Sequence, residues 1–309
     1  MHRVAVVGAG QFGQNHCRIV RQSARAELAA VVDIDPARGS LADYRALEGK
    51  VDAAIVATPT SVHAEIGCWL MEHGVDVLVE KPIAPDLESA GRLVSAAEQN
   101  GRILQVGHLE RFNPAVAALE ARVSLPLFFE IHRLSVFSPR SLDVDVILDL
   151  MIHDIDILLS LTRAEPVEIR AAGISILSPK VDIANVRMQF ENGCVANLTA
   201  SRVSTERVRK LRLFQPQQYI SLDYARQDLT VFSVNSNHQV GFEPVPVPKA
   251  EPLQLQFDAF LDGIETRKSA RTSGCAARQT LQVALAILDK IKNHSEIVSK
   301  SLAGAWKLQ

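Results

Sequence analysis

The stretch "VAVVGAGQFGQNH" (Val4–His16) decides the fold. A run of small and β-branched residues stops at Gly8, glycines follow at positions 10 and 13, and the residues beyond take a helical pattern. In a strand–turn–helix unit this G-x-G-x-x-G spacing has a physical use. Gly8 permits the tight turn, Gly10 lets main chain approach a pyrophosphate, Gly13 lets helix and strand pack closely, and the helix N-terminus attracts the phosphate charge. Gln11 and Phe12, at the start of that helix, join the glycines as candidate contacts. A glycine-rich turn without a ligand shows the same spacing, so the surrounding chain has to decide.

Four further apolar runs support the dinucleotide reading: "ELAAVVDID" (27–35), "DAAIVAT" (52–58), "VDVLVEK" (75–81) and "RILQVGH" (102–108), with helical stretches between several of them. Continuous apolar strands alternating with helices predict a parallel sheet covered on both faces. Asp33 closes the second run twenty residues after Gly13, where a carboxylate can bond both hydroxyls of an adenosine ribose. The same charge would repel a 2′-phosphate, which favours NAD over NADP. Asp35, just before Pro36, is the competing acid and reads as turn chemistry.

Strand carboxyl ends line the ligand crevice of an open α/β sheet, so the residues just after each run matter. Thr58, Pro59, Thr60 and His63 come after the third run and are candidates for the nicotinamide side, or form a Thr-Pro turn that starts a helix. Glu80, Lys81 and Pro82 end the fourth. Lys81 is either a solvated surface charge or an amine aimed into the crevice.

Beyond "RFNP" (111–114) the pattern changes. "LFFEIHRLSVF", "VEIRAAGISIL", "IANVRMQF", "CVANLTAS", "VRKLRLFQ", "QYISLDY" and "LTVFSV" read as strands separated by turns such as Glu191-Asn192-Gly193, and helical patterns close the chain over 253–266 and 276–293. The expected architecture is an α/β Rossmann domain with a parallel sheet over 1–113, then an α+β domain with a large, mostly antiparallel sheet over 114–309. An antiparallel sheet of this size needs its second face covered, so a homo-oligomer through the C-terminal sheet is expected.

The 309 residues are 47% hydrophobic and 22% charged, with a formal charge of −2, so no basic excess points to nucleic acid. No apolar run reaches membrane-spanning length and the N-terminus enters a strand pattern at once, which leads us to expect a cytoplasmic protein without a membrane partner. Cys17, Cys68, Cys194 and Cys275 are scattered, with no metal-ligand spacing, so free thiols and no metal are expected.

"VILDLMIHDIDILL" (146–159) sets polar residues into an otherwise buried helix. Asp149 and His153 are spaced i,i+4 and share one face, where a histidine can take a proton from a hydroxyl and a carboxylate can raise its basicity or bind the same substrate. A single buried, satisfied histidine is the alternative. Asp154 and Asp156 fall on other faces and read as solvent or packing residues.

With "ATPTSVH" (57–63), "EKP" (80–82), "GHLERFNP" (107–114) and "DLMIH" (149–153) added to the glycine motif and Asp33, nearly the whole chain resembles the glucose-fructose oxidoreductase and inositol dehydrogenase (Gfo/Idh/MocA) family. The resemblance implies that Lys81, Asp149 and His153 meet over the nicotinamide. Lys81 would hold the reacting hydroxyl, His153 would be the base, and Asp149 would bind substrate or assist His153. "VGHLERFNPAV" and "DLMIHDIDIL" look more narrowly like the bacterial nucleotide-sugar dehydrogenases that oxidise the 3-hydroxyl of UDP-N-acetylglucosamine, ahead of an aminotransferase, on the route to the diamino sugar of some lipid A molecules. A diphosphate needs donors, and Arg111, Asn113, Arg133, Arg140 and Arg202 are available, with Arg111 and Asn113 nearest the expected crevice.

A free sugar or cyclitol as substrate, and a non-catalytic dinucleotide sensor, are the competing readings. One departure from the family is visible. Only fifteen residues separate Asp35 from the strand at Val51, room for little more than one helix, so the adenine pocket is expected to be pared down.

Overall fold

A computed structural model describes residues 1–137 and 144–305, with side chains described through 294. The chain divides into two compact units, residues 1–112 with 250–281 and residues 113–249 with 282–309.

The first unit is built on five parallel strands, β1 (His2–Val7), β2 (Ala26–Val32), β3 (Ala53–Val56), β4 (Asp76–Val79) and β5 (Leu104–Val106), in the order β2-β1-β3-β4-β5. β3 and β4 are buried at every residue, as strands covered on both faces must be. Helices α1 (Gln11–Gln22), α2 (His63–Glu72) and α3 (Leu87–Gln99) connect them. α1 is strongly amphipathic and buries Gly13, His16, Cys17, Ile19 and Val20.

The second unit begins with α4 (Pro114–Glu120), capped by Asn113, whose Oδ1 accepts from Ala115 N at 3.1 Å. Then come β6 (Phe128–Val136), a π-helical turn over Ile147–Met151 and α5 (Ile152–Thr162). β7 (Pro166–Ile174), β8 (Ile183–Phe190), β9 (Val195–Ser204), β10 (Val208–Gln215), β11 (Gln218–Asp223), β12 (Asp228–Val234) and β13 (Val240–Val245) complete an eight-stranded sheet ordered β13-β12-β11-β10-β6-β9-β8-β7. Only the β6–β9 pair is parallel. Residues alternate along these strands. One set, including Phe129, Ile131, Val186, Leu198, Leu213 and Ile220, forms a core with apolar residues of α4 and α5 and with Val283, Ala284 and Ile287. The other set is open to solvent or half-buried, and it carries a ladder of directly paired rings, Phe128–Phe214–Tyr219–Phe232–Phe242, with centroids 4.9–5.7 Å apart.

The structure adds to or departs from the sequence reading at four places. The chain returns after Lys249, because α6 (Pro252–Thr266) sets Leu253, Phe257, Phe260, Leu261 and Ile264 against Val4, Val6, Ile19, Ile55 and Leu78, so residues 250–281 belong with the first unit and not with an unbroken 114–309 domain. The segment after Asp35 forms no α-helix. It folds back on β2 through a Val32–Leu41 bridge and makes one 3₁₀ turn at Tyr44–Leu47. Strand β13 has no sequence signature, because an exposed edge strand containing Pro244 shows neither alternation nor an apolar run. The last helix, α7 (Gly274–Ala305), is longer at both ends than its apolar pattern suggested. Among the described residues no helix is long and apolar enough to cross a membrane.

Candidate active site

In the first unit the sheet's carboxyl ends open into a cleft of about 670 Å³, lined by Gly8, Gly10, Asp33, Ile34, Arg38, Tyr44, Arg45, Thr58, Pro59 and Glu65 among others. Gly8 has φ +93°, and a Cβ there would meet the Ala57 carbonyl oxygen at 2.6 Å; one on Gly13 would lie 1.8 Å from the Gly8 oxygen. Over Gly10 there is open space. Gly10 is the N-cap of α1 with no side chain bonded to the cap, and the first turn holds no acid, so the positive end of the helix suits an anion. Gln11 and Phe12 are exposed on that turn.

Asp33 is fixed by the main chain. Its Oδ1 accepts from Asp35 N at 2.9 Å and its Oδ2 from Ala9 N at 2.6 Å. The Asp35 N–H foremost, with that of Ala9, outweighs partial burial and holds the carboxyl below its ordinary range, so it is ionised at neutral pH. Each oxygen keeps a lone pair for a ribose hydroxyl. Asp35 bonds Ala37 N at 3.0 Å and pairs with Arg38, as turn chemistry predicted. Thr58 Oγ1 is buried against the cleft with no hydrogen-bond partner among the described residues. An open helix N-terminus, an ionised ribose acceptor and an unbonded hydroxyl in one cleft fit a dinucleotide.

His63 lies elsewhere than the crevice surface. It is 1% exposed, with Nδ1 3.0 Å from Pro82 O and Nε2 2.9 Å from Thr58 O, so its ring is packed between two turns and its one N–H is directed at one of these carbonyls. Burial pushes its pKa down, against the pull of those carbonyls. Thr60 opens the 3₁₀ turn Thr60–Val62 that precedes it. Glu80 receives the Lys81 N–H on Oε2 at 3.2 Å and the ring of His16 on Oε1 at 2.8 Å. His16, one turn beyond Gly13, had no assigned role in the sequence. The signal was there: a histidine among the small and apolar residues of the inward face of α1.

In the second unit Asp149 sits in the π-helical turn and His153 in the first turn of α5, both half-buried where most of their neighbours are buried. π-turns are frequent at functional sites, and this one places Asp149 one helical turn before His153 on a packed element. Asp154 and Asp156 are packing residues, 1% and 3% exposed. Arg133 and Arg202 are not free donors: Arg133 is bound at two points to Asp154, and Arg202 pairs with Asp182 at 3.1 Å and bonds the carbonyls of Val144 and Val181. Asn113 likewise uses its amide to cap α4 and to bond Tyr224 O at 3.0 Å. Arg111, half-buried in the 3₁₀ turn Leu109–Phe112, is the remaining described candidate for a diphosphate; Arg140 lies outside the described residues. No metal-ligand cluster occurs among the described residues.

Residues 2–108 match the family model described as "Oxidoreductase family, NAD-binding Rossmann fold", and residues 121–217 match the one described as "GFO/IDH/MocA C-terminal domain". The chain is 36% identical over 301 residues to UDP-N-acetylglucosamine 3-dehydrogenase of Acidithiobacillus ferrooxidans, covering 92% of this chain and 96% of that protein. The solved structure of that enzyme superposes with a TM-score of 0.89 over 94% of this chain and 98% of its own. A second relative, scyllo-inositol 2-dehydrogenase (NAD(+)) of Bacillus subtilis, is 29% identical over 327 residues, with 94% of each chain covered.

Proposed function

The chain belongs to the Gfo/Idh/MocA oxidoreductase family and carries its NAD-binding Rossmann domain, and from that premise we propose that it oxidises the 3-hydroxyl of UDP-N-acetylglucosamine to the 3-keto sugar. The observation that carries this reading is the 36% identity, along nearly the full length of both chains, with an enzyme named for that reaction. NAD, when bound, accepts the hydride. Gly8, Gly10 and Gly13 leave room for its pyrophosphate at the start of α1, and Asp33 takes its adenosine ribose. The chain's own residues do the rest. Lys81 donates hydrogen bonds to the reacting hydroxyl and holds it in line, His153 removes its proton, and Asp149 binds the sugar or steadies the imidazole. Alignment of sugar and nicotinamide supplies much of the acceleration, since a hydride travels only a short, defined path.

The purified protein, mixed with NAD and UDP-N-acetylglucosamine and with an aminotransferase to draw off the ketone, is expected to generate NADH. NADH formed from myo-inositol or glucose, with none from the nucleotide sugar, would overturn the substrate. That second reading has one observation in its favour: Arg133 and Arg202, both cations that a diphosphate could recruit, are committed to internal ion pairs.

For the assembly, we propose a homo-oligomer in which a second copy covers the open face of the eight-stranded sheet. Its aromatic ladder, with Phe242 65% and Phe214 38% exposed, supports this.

A further inference from the structure

A buried carboxylate needs a reason and a partner. Glu80 follows β4, its main-chain N–H bonds Val56 O at 2.9 Å, and its side chain turns inward, only 12% exposed. Burial by itself would raise its pKa, but the hydrogen bond and charge of His16, with Lys81 beside it, outweigh burial and keep it ionised. An ionised carboxylate only accepts, so His16 must be donating from Nε2 across the 2.8 Å contact. Room for the carboxylate is provided on its far side by Gly107, where a Cβ would lie 2.8 Å from Oε2 and 3.0 Å from Oε1. The ion is therefore gripped by α1 on one oxygen, and with the other it holds the main-chain N–H of Lys81 at 3.2 Å. Two residues along the same turn, the Pro82 carbonyl meets the buried ring of His63.

A lysine amine sits at the end of four methylenes, so a small rotation of the Lys81 main chain carries it far. A misplacement of about 1 Å at a reacting centre can cost roughly a hundredfold in rate. His16 stands one turn beyond the glycine loop and touches the turn that carries Lys81 through a single charged intermediary.

We propose that His16 is a positioning residue: through Glu80 it fixes the main chain of Lys81, so that the pyrophosphate-binding helix itself sets where the amine acts. The inference rests on the role given to Lys81 in the proposed reaction. It assigns His16 no contact with substrate or with the reacting atoms.

The variants H16Q, H16N, H16A, E80Q, K81A and H16A/K81A, made in the full chain, test it. A glutamine amide nitrogen reaches the place of Nε2, whereas an asparagine amide stops near Nδ1. H16Q should keep kcat within about threefold of wild type, while H16N, H16A and E80Q lower it by roughly a hundredfold with KM for NAD changed by less than about threefold. H16A should slow the K81A enzyme no further, because a residue that acts through Lys81 has nothing left to position. Amide exchange, read by mass spectrometry on the peptide spanning residues 79–84, needs no substrate; it should quicken about tenfold or more in H16N and H16A, and stay at the wild-type rate in H16Q.

Exchange unchanged in H16A, exchange quickened with kcat untouched, or a further loss of rate on top of K81A would each overturn the inference. Loss of turnover in K81A with full activity in H16A sinks the positioning role alone. A K81A enzyme as fast as wild type sinks the role given to Lys81, and the positioning with it. Turnover is measured with whichever of UDP-N-acetylglucosamine, myo-inositol or glucose the wild type oxidises, so a wrong substrate leaves both arms readable.

Discussion

Arg133 Nε and Nη2 meet Asp154 Oδ2 and Oδ1 at 2.8 and 2.7 Å, and both side chains are about 2% exposed. The pair joins β6 to α5, and Asp154 is the residue after His153. The Arg133 guanidinium also lies over the Tyr224 ring, 5.0 Å from its centroid.

Removing one partner from such a pair leaves an uncompensated buried charge. Asp154→Ala should destabilise the protein by about 3–5 kcal/mol, read as a lower urea midpoint. Replacing both residues by apolar ones of similar size should return most of that loss. A single-variant loss within about 0.5 kcal/mol, the range of an ordinary surface change, would contradict the buried pair.

Asp33, the ribose acceptor in the proposed reading, has both oxygens oriented by Ala9 N and Asp35 N. Asp33→Ala removes two hydrogen bonds of about 0.5–1.5 kcal/mol each, so NAD affinity by calorimetry should fall roughly 10- to 100-fold. The discrimination against NADP should shrink as the charge disappears. Because the folded carboxyl is held below its ordinary range, Asp33 stays ionised on mild acidification, and its part in NAD binding should be constant from about pH 8 to pH 5.

His63 sets a pH dependence of stability. Its folded pKa is depressed by burial, so below about pH 6.5 the unfolded chain binds a proton that the folded one refuses. Stability from this group is complete above the unfolded value and declines as pH falls from there toward the lower folded value. Denaturant midpoints for wild type should drop through that window, and His63→Gln should drop less. Parallel curves for the two proteins would remove His63 as the cause.

His153→Ala is expected to lower turnover by roughly 100- to 10,000-fold, the range of general acid–base catalysis, and Asp149→Asn to lower it less. Both variants leave the residues that line the first unit's cleft unchanged, so NADH fluorescence titrations should match wild type. Wild-type turnover in His153→Ala would remove it as the base.

The ring ladder on the open sheet face predicts the assembly's weak point. Phe214→Glu with Phe242→Glu places like charges where a second copy is expected to pack, and light scattering behind size-exclusion chromatography should show a smaller species than wild type. An unchanged mass would rule this face out as the interface.

Much of the fold was legible because local chemistry dictated it. The glycine spacing, the apolar β3 and β4, and Asp33 at the end of β2 each come from a short stretch of chain, as do the alternating strands β8 and β10, whose limits match the sequence pattern residue for residue. Arg133, Arg202 and Asn113 were misleading for one physical reason. A cation or an amide in a sequence does not reveal its partner, and theirs, Asp154, Asp182 and Tyr224, lie 21, 20 and 111 residues away.

The sequence by itself determined a Rossmann unit with a carboxylate just past its second strand and an Asp149–His153 pair on one packed element, because strand, turn and helix preferences act over a few residues. Tertiary structure decided what each charge is for. It returned α6 to the first sheet, closed Arg133 upon Asp154, and put His16 against Glu80 across 64 residues of chain. Buried polar groups must find partners wherever the fold brings them, and that search is not written in neighbouring residues.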